Sequence, residues 1–176
     1  DMEKVCREVC EKLVFRHPYV FGDGQAADAD GALNAWERQK RQEKDQRTTA
    51  DALNAVARSL PALWRAEKVQ KKAKKAGFDW PDVSGALDKL SEELEELKTA
   101  VAEGTNVEEE LGDLLFSAVN VSRFVKVDTE GALNRATDKF IGRFRKVEEE
   151  AARQGRALEG MSLAELDKLW EHAKET

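Results

Sequence analysis

Two short acidic runs contain residues that could bind a metal ion. The first is Glu92-Glu93-Leu94-Glu95-Glu96, and the second is Glu110-Leu111-Gly112-Asp113. Carboxylate oxygens are the ligands that hard divalent cations such as Mg²⁺ prefer, and Mg²⁺ often completes its coordination shell with water and substrate phosphates. The runs therefore suggest a site for phosphoryl chemistry. Glutamates are also common on solvated helix faces, and this alternative stays open.

The positions of these acids on two predicted helices favour the metal site. At about 100° per residue, Glu93 and Glu96 lie on one flank of an apolar stripe, and Glu110 and Asp113 flank a second stripe in the same way. The loop around Gly104 is short, which predicts an antiparallel helix pair. Glu96 then faces Glu110, and Glu93 faces Asp113, with an axial mismatch of about 3 Å. The two stripes, both predicted to be buried, are Val83, Leu87, Leu90, Leu94, Leu97 and Val101, and Val107, Leu111, Leu114, Ala118, Val121, Ser122 and Val125.

Cationic and aromatic residues recur at helical spacing near the end of the chain. Lys139 and Arg143 are four residues apart on the flank of an apolar stripe, where they could grip phosphate groups. Trp170 and Lys174 have the same spacing. The indole could stack on a nucleotide base or fill the core, and both interpretations stay open.

The same spacings occur a second time near the start of the chain. Lys12-x-x-x-Arg16 and Trp36-x-x-x-Lys40 repeat the later pairs, but no acidic helices precede them. This predicts a two-repeat protein whose first repeat lacks its front half. Helical patterning already runs at Asp1, so we expect a fragment of a longer protein. The predicted parts are the remnant of a first repeat at residues 1–44, a linker at 45–59 and the complete domain at 60–176.

Apolar residues recur at three- and four-residue spacing along almost the whole chain, which predicts an all-α helical bundle. Asn106 with Glu109, and Ser162 with Glu165, form predicted capping boxes. The turn at residues 78–81 is predicted to bury its two aromatic side chains. The predicted helices are 1–17, 30–44, 61–77, 82–103, 107–125, 129–153 and a last helix that Ser162 opens.

Composition narrows the class of protein. The chain has 29 basic and 35 acidic residues and a net charge of −6, which argues against a protein built mainly to hold nucleic acid. No run approaches the roughly 20 apolar residues that cross a bilayer, so no membrane partner is expected. Cys6 and Cys10 are too few for a disulfide framework. We expect the cytoplasm as the compartment and small apolar packing roles for both thiols.

The order of these motifs along the chain resembles that of a known family. The EExxE and ExxD runs, followed by Lys139-x-x-x-Arg143 and Trp170-x-x-x-Lys174, are similar to the MazG nucleoside triphosphate pyrophosphohydrolases of the all-α NTP pyrophosphatase group. From about Leu60 onwards the chain resembles the second, catalytic repeat of that family. Residues 1–44 resemble the tail of its first repeat.

The resemblance implies a function and a site. It implies hydrolysis of a nucleoside triphosphate to the monophosphate and pyrophosphate with Mg²⁺, and the ligand types also suit Mn²⁺. Glu92 would support the metal site or orient the attacking water. A homodimer is implied, with helices of both subunits completing the bundle, and at most one metal site per chain. The implied metal-binding and catalytic acids are Glu93, Glu96, Glu110 and Asp113, with Glu92 as a further catalytic acid. The predicted substrate-binding residues are Lys89, Lys139, Arg143, Trp170 and Lys174.

Two other functions stay open. One is a non-catalytic helical module that regulates a partner, which the shortened first repeat and the charged surface would suit. The other is an RNA-binding adaptor that uses the lysine-rich tract at residues 68–75, although such a tract is more often the wet face of a helix. Broad use of NTPs and selective removal of damaged nucleotides are both compatible with the enzyme hypothesis.

Overall fold

The structure, a computed structural model, describes residues 1–22, 28–43 and 47–175. Within these ranges the chain forms nine α-helices and one short 3₁₀ helix, with no β-strand, which confirms the predicted all-α class. No helix in these ranges has the length and apolar character needed to cross a membrane. The helices are α1 (Met2–Arg16), α2 (Pro18–Phe21), α3 (Ala29–Glu43), α4 (Thr49–Asn54), α5 (Ala62–Lys75), α6 (Val83–Glu103), α7 (Val107–Phe124), α8 (Thr129–Arg153) and α9 (Leu163–Glu175), with the 3₁₀ helix at Leu158–Gly160.

The chain divides into two compact units. The first consists of Asp1–Leu60 and Lys68–Asp79, and the second of Pro61–Glu67 and Trp80–Thr176. Helix α5 contributes residues to both. In the first unit α1 packs on α3, and in the second α6 packs on α7 and α8 on α9. The predicted division into a remnant, a linker and a domain stays a prediction.

The segment predicted as a linker contains helix α4. The Thr48 N–H donates to the Asp51 side chain at 2.8 Å, and the Asp51 N–H donates to Thr48 Oγ1 at 3.1 Å. This reciprocal cap satisfies two amide groups that a helix start leaves without partners. Ala52 and Val56 are buried. The alanine-rich composition of the segment therefore reflects a short packed helix as well as a connection.

The turn between α6 and α7 sets up the antiparallel pair. Helix α6 begins after Asp82, whose side chain accepts from the Ser84 N–H, and it ends at Gly104 with a left-handed φ of 70°. Asn106 also has a left-handed backbone, with φ of 53°, and its side chain makes no capping bond. A capping side chain normally needs an extended backbone. The predicted capping box of Asn106 with Glu109 is therefore wrong, although the helix starts where it was predicted.

The predicted box at Ser162 forms in a modified way. The backbone N–H and the hydroxyl of Ser162 both donate to the Glu165 carboxylate, each at 2.8 Å. Arg156 also donates to Glu165, at 2.6 Å. These bonds, with that from Arg156 the strongest influence, lower the pKa of Glu165 to about 2. The start of α9 is thereby held by a network of three residues.

Burial in the second unit departs from the predicted stripes. Val147 and Ala151 of α8 are buried against Leu169 and Ala173 of α9, and these four residues form its clearest core. Some stripe positions of α6 and α7 are half-buried, among them Leu90, Leu97, Leu114 and Val121, whereas others, including positions on α8, are exposed. The prediction that these stripes are buried is therefore confirmed only in part for the chain alone. The exposed positions are Leu87, Leu94, Val101, Val107, Leu111, Val125, Leu133, Phe140 and Phe144.

The aromatic turn also differs from its prediction. Phe78 is 82% exposed and Trp80 is 38% exposed, so the turn does not bury them. Trp80 instead covers Gly85 in the first turn of α6, where an added Cβ atom would lie 2.2 Å from the indole Cδ1. The glycine is therefore needed for this close approach. Cys6 and Cys10 are also exposed, which contradicts the packing role predicted for them within this chain.

Candidate metal and substrate site

Three carboxylates meet where α6 packs on α7. Glu93 and Glu96 lie one turn apart on α6, and Glu110 lies in the first turn of α7. One carboxylate oxygen from each of the three lies within 4.8 Å of the other two. Glu93 is buried, Glu110 is half-buried and Glu96 is exposed. We call these three residues the acidic trio.

The antiparallel turn explains why residues of two helices converge. Glu96 lies eight residues before Gly104 and Glu110 lies six residues after it, so both reach a similar level along the pair. The structure brings Glu96 and Glu110 together as the spacing predicts, with Glu93 completing the trio. Asp113 is exposed and is outside the trio within the described residues. Its assignment as a fourth ligand stays a prediction.

The acidic trio shows mutual repulsion. Partial desolvation raises the pKa of Glu96, and the negative charge of Glu93 raises it further, with a smaller contribution from Glu110. The positive charge of Lys89 acts in the opposite direction. Carboxylates held this close are stabilised when a cation sits among them. The trio therefore has the donor type and the electrostatic need of a divalent-cation site.

A cation, Lys89, contacts the trio at Glu93. Its Nζ lies 2.7 Å from Glu93 Oε1 and 2.8 Å from Glu92 Oε1. These two hydrogen bonds, that with Glu92 first, raise the pKa of Lys89. Lys89 is predicted from the sequence as a substrate-binding residue, and its bridge to the two carboxylates was not predicted. Its i to i+4 spacing from Glu93 is the signal that could have shown it.

A groove of about 400 Å³ lies beside the trio. Its wall includes Thr99, in the C-terminal turns of α6, and Asn106, the residue before α7. Glu96 and Glu110 line the groove, whereas the buried Glu93 is not among its lining residues. Glu103 also lines the groove, because α6 continues about three turns beyond Glu93. This residue was not predicted from the sequence. The acidic residues that line the groove are Glu92, Glu95, Glu96, Glu103 and Glu110.

The predicted phosphate-binding residues lie on the other helix pair. Lys139 is exposed and Arg143 half-buried on α8, and neither makes an ion pair within the described residues. The Trp170 ring lies 5.0 Å from that of Phe140, between centroids, and packs against the α8–α9 core. Lys174 pairs with Glu171 at 2.5 Å. No ion pair joins this set to the acidic trio in the part of the chain that the structure describes.

The earlier copy of the Lys/Arg and Trp/Lys motifs, at residues 12–16 and 36–40, makes contacts within the first unit. Arg16 contacts Glu43 at 2.7 Å, and its guanidinium lies 5.7 Å from the centroid of the Trp36 ring. The Lys40 ammonium lies 4.7 Å from the same centroid. Two cations therefore face the indole in the first unit, whereas Trp170 in the second unit contacts an aromatic ring.

Comparison with known proteins shows the family of the chain. The MazG nucleotide pyrophosphohydrolase domain matches residues 82–148. A nucleoside triphosphate pyrophosphohydrolase of Escherichia coli K12 is 39% identical over 178 residues, which cover 99% of this chain and 68% of the relative. The Thermotoga maritima nucleoside triphosphate pyrophosphohydrolase/pyrophosphatase MazG is 44% identical over 173 residues, which cover 98% and 66%. The chain belongs to the MazG nucleotide pyrophosphohydrolase family.

Membership confirms the predicted family and makes the chain an enzyme of the NTP pyrophosphohydrolase class. The MazG match begins at Asp82, the cap of α6, and extends into α8. It contains the acidic trio together with Lys139 and Arg143, whereas α9 lies outside it. The chain spans about two thirds of the length of the two named relatives. A third similar protein, the uncharacterized protein YabN of Bacillus subtilis, is 45% identical over 178 residues, which cover 99% of this chain and 36% of its own length.

Proposed function

We propose that this chain hydrolyses nucleoside triphosphates to the monophosphate and pyrophosphate in a Mg²⁺-dependent reaction. The observation that carries the proposal is the acidic trio at the α6–α7 pair, inside the segment that matches the family. Water attacks the α-phosphorus and pyrophosphate leaves. Such an activity would serve control or house-cleaning of the nucleotide pool. Free thiols at Cys6 and Cys10 suit a cytoplasmic enzyme.

The residues present fit a hard divalent cation. Glu93, Glu96 and Glu110 offer oxygen donors close enough to share one ion. Desolvation raises the pKa of Glu96, and the charge of Glu93 raises it further, and a cation would oppose both effects. Asp113 is proposed as a fourth ligand. When bound, Mg²⁺ supplies charge neutralisation of the triphosphate and lowers the pKa of coordinated water. Mn²⁺ would be accepted by the same oxygen ligands.

Other residues of the chain act on the substrate and the water. Glu92 keeps 58% of its side chain exposed on the groove, where its carboxylate can orient the attacking water by accepting its proton in a hydrogen bond. Among the described residues, Lys139 and Arg143 make no competing ion pair, and both are proposed to bind phosphates. Trp170 and Lys174 are proposed to close over the nucleotide. Lys89, close to Glu93, is proposed to reach a phosphate once substrate is present.

Loss of the Lys139 or Arg143 cation should weaken nucleotide binding selectively. We expect Lys139→Ala and Arg143→Ala each to raise the Kd of a non-hydrolysable NTP about tenfold to a hundredfold, since hydrogen bonds to charged groups contribute about 1.5–3 kcal/mol. Mg²⁺ binding without nucleotide should change less. Calorimetric titration measures both. Arg145→Ala, an exposed arginine on α8, is the control. Equal nucleotide affinity in all four proteins would contradict the assignment.

We also propose that two copies of the chain form a homodimer. The exposed apolar residues follow helical stripes, with Leu87, Leu94 and Val101 seven residues apart on α6. Val107 and Leu111, four residues apart, form a similar line on α7. Continuous apolar stripes of this kind mark helix faces that pack against other helices. A second copy supplies the missing neighbours and completes the bundle.

The reaction is tested by incubating the purified chain with Mg²⁺ and each NTP and following the products by phosphorus NMR. Monophosphate and pyrophosphate, both lost in EDTA, are expected. Diphosphate and inorganic phosphate would show the wrong bond being cleaved. No turnover in either the chain or its longest natural form would favour the non-catalytic interaction module, for which the exposed apolar stripes would be the binding surface.

A further inference from the structure

Lys89 bridges a buried and an exposed carboxylate at the edge of the acidic trio. Its ammonium lies 2.7 Å from Glu93 and 2.8 Å from Glu92. The Glu93 side chain is only 6% exposed, whereas that of Glu92 is 58% exposed. Water can therefore stabilise the charge of Glu92 but has little access to that of Glu93. Of the three carboxylates in the trio, Lys89 therefore pairs with the one whose charge water stabilises least.

A buried carboxylate is costly unless an opposite charge pairs with it. In the chain alone, Lys89 provides that charge. A divalent cation among the trio would provide it as well, and it would bind the same Glu93 carboxylate that Lys89 contacts. Two cations side by side repel each other, so entry of the divalent ion weakens the hold of Glu93 on the ammonium. The lysine stem is flexible enough to carry the ammonium away from α6.

We propose that Lys89 is the internal counter-ion of Glu93, which a divalent cation displaces so that the ammonium becomes available to the triphosphate. This inference rests on the proposed metal site and adds a role that direct phosphate contact alone does not include. Lys89 is then a positioning residue before the ion enters and a phosphate ligand afterwards. Because the ion frees the lysine, Mg²⁺ and nucleotide should bind cooperatively.

The test is a calorimetric titration of Mg²⁺ alone, without nucleotide, into the wild-type chain and Lys89→Met. Methionine keeps the length of the stem and removes the competing charge. We expect Lys89→Met to bind Mg²⁺ at least tenfold more tightly, about 1.4 kcal/mol. In EDTA it should unfold at a lower temperature than wild type, because Glu93 has lost its partner, and Mg²⁺ should raise its Tm by a larger step.

Lys98→Met is the matched control. Lys98 lies on the same helix and contacts Glu95 at 2.7 Å, but both side chains are at least 60% exposed. This variant removes the same charge without unpairing a buried carboxylate, and its Mg²⁺ affinity should stay within about twofold of wild type. An equal gain in Lys98→Met would show a general effect of net charge and would overturn the inference.

Other outcomes separate the two proposals. Mg²⁺ affinity in Lys89→Met that equals or falls below that of wild type overturns the counter-ion role but leaves the metal site intact. No Mg²⁺ binding in any variant overturns the proposed metal site itself. If Lys89→Met does not fold, Lys89→Arg decides, since it keeps a cation on Glu93. Its Mg²⁺ affinity should equal or fall below wild type, and tighter binding would contradict the inference.

Discussion

Glu96→Gln and Glu110→Gln are each expected to reduce Mg²⁺-dependent NTP hydrolysis by about 10³-fold or more. Each substitution removes one negative oxygen donor from the acidic trio and preserves side-chain volume. A metal ion that stabilises transition-state charge contributes several kcal/mol, and each 1.36 kcal/mol changes the rate tenfold. Glu96 is exposed and Glu110 half-buried, so neither change should disturb the packing of the helix pair.

Initial rates over a range of Mg²⁺ concentrations measure the effect, and circular dichroism measures the retained helix content. Glu108→Gln is the matched control because Glu108 is exposed on α7, two residues before Glu110. It should keep wild-type activity. Full activity in both Glu96→Gln and Glu110→Gln would remove the trio from the reaction. A rate restored by high Mg²⁺ would place the loss in metal affinity.

The arrangement of the acidic trio could be predicted because it depends on local geometry. Helix periodicity placed Glu93 and Glu96 on one flank of α6, and the short turn that begins at Gly104 fixed the level along the helix pair at which Glu110 lies. Helix limits followed from residues with strong conformational preferences. Helix α8, for example, spans Thr129–Arg153 as predicted. Such features need no knowledge of distant contacts.

Features that depend on competition between partners could not be predicted. Lys89 could bind substrate, water or a carboxylate, and only the burial of Glu93 makes the ion pair the outcome. Asn106 is a common capping residue, but the tight turn requires a left-handed backbone that moves its side chain away from the helix start. Local patterns offer these alternatives without ranking them.

The apolar stripes show the same limit on a larger scale. Periodicity identified which side of α6 is apolar, but not which element covers it. Leu94 is 41% exposed and Leu111 46% exposed in the chain alone. The sequence shows which side of a helix is apolar, but it does not show how many helices are available to cover that side. A second copy of the chain would change only the number of available helices. A single substitution in the exposed stripe therefore tests the proposed dimer directly.

Leu94→Glu is expected to convert the dimer to a monomer. Leu94 lies in the middle of the α6 stripe, between Leu87 and Val101, and each chain of a two-fold dimer would contribute it once. A carboxylate buried in an apolar interface without a partner costs several kcal/mol, and the cost occurs twice in a symmetric dimer. In the separate chain the position is exposed, so the monomer should remain helical.

Sedimentation velocity at several concentrations distinguishes the two states, with circular dichroism to verify that the helices persist. Leu163→Glu is the control, because Leu163 is a more exposed leucine, at 75%, and lies at the first position of α9 away from the α6 and α7 stripes. It should leave the dimer intact.

A wild-type chain that sediments as a monomer at all concentrations would contradict the proposed dimer. A dimer that survives Leu94→Glu would place the interface on another surface, and the exposed α8 residues Phe140 and Phe144 would be the next positions to change because they form a second apolar line.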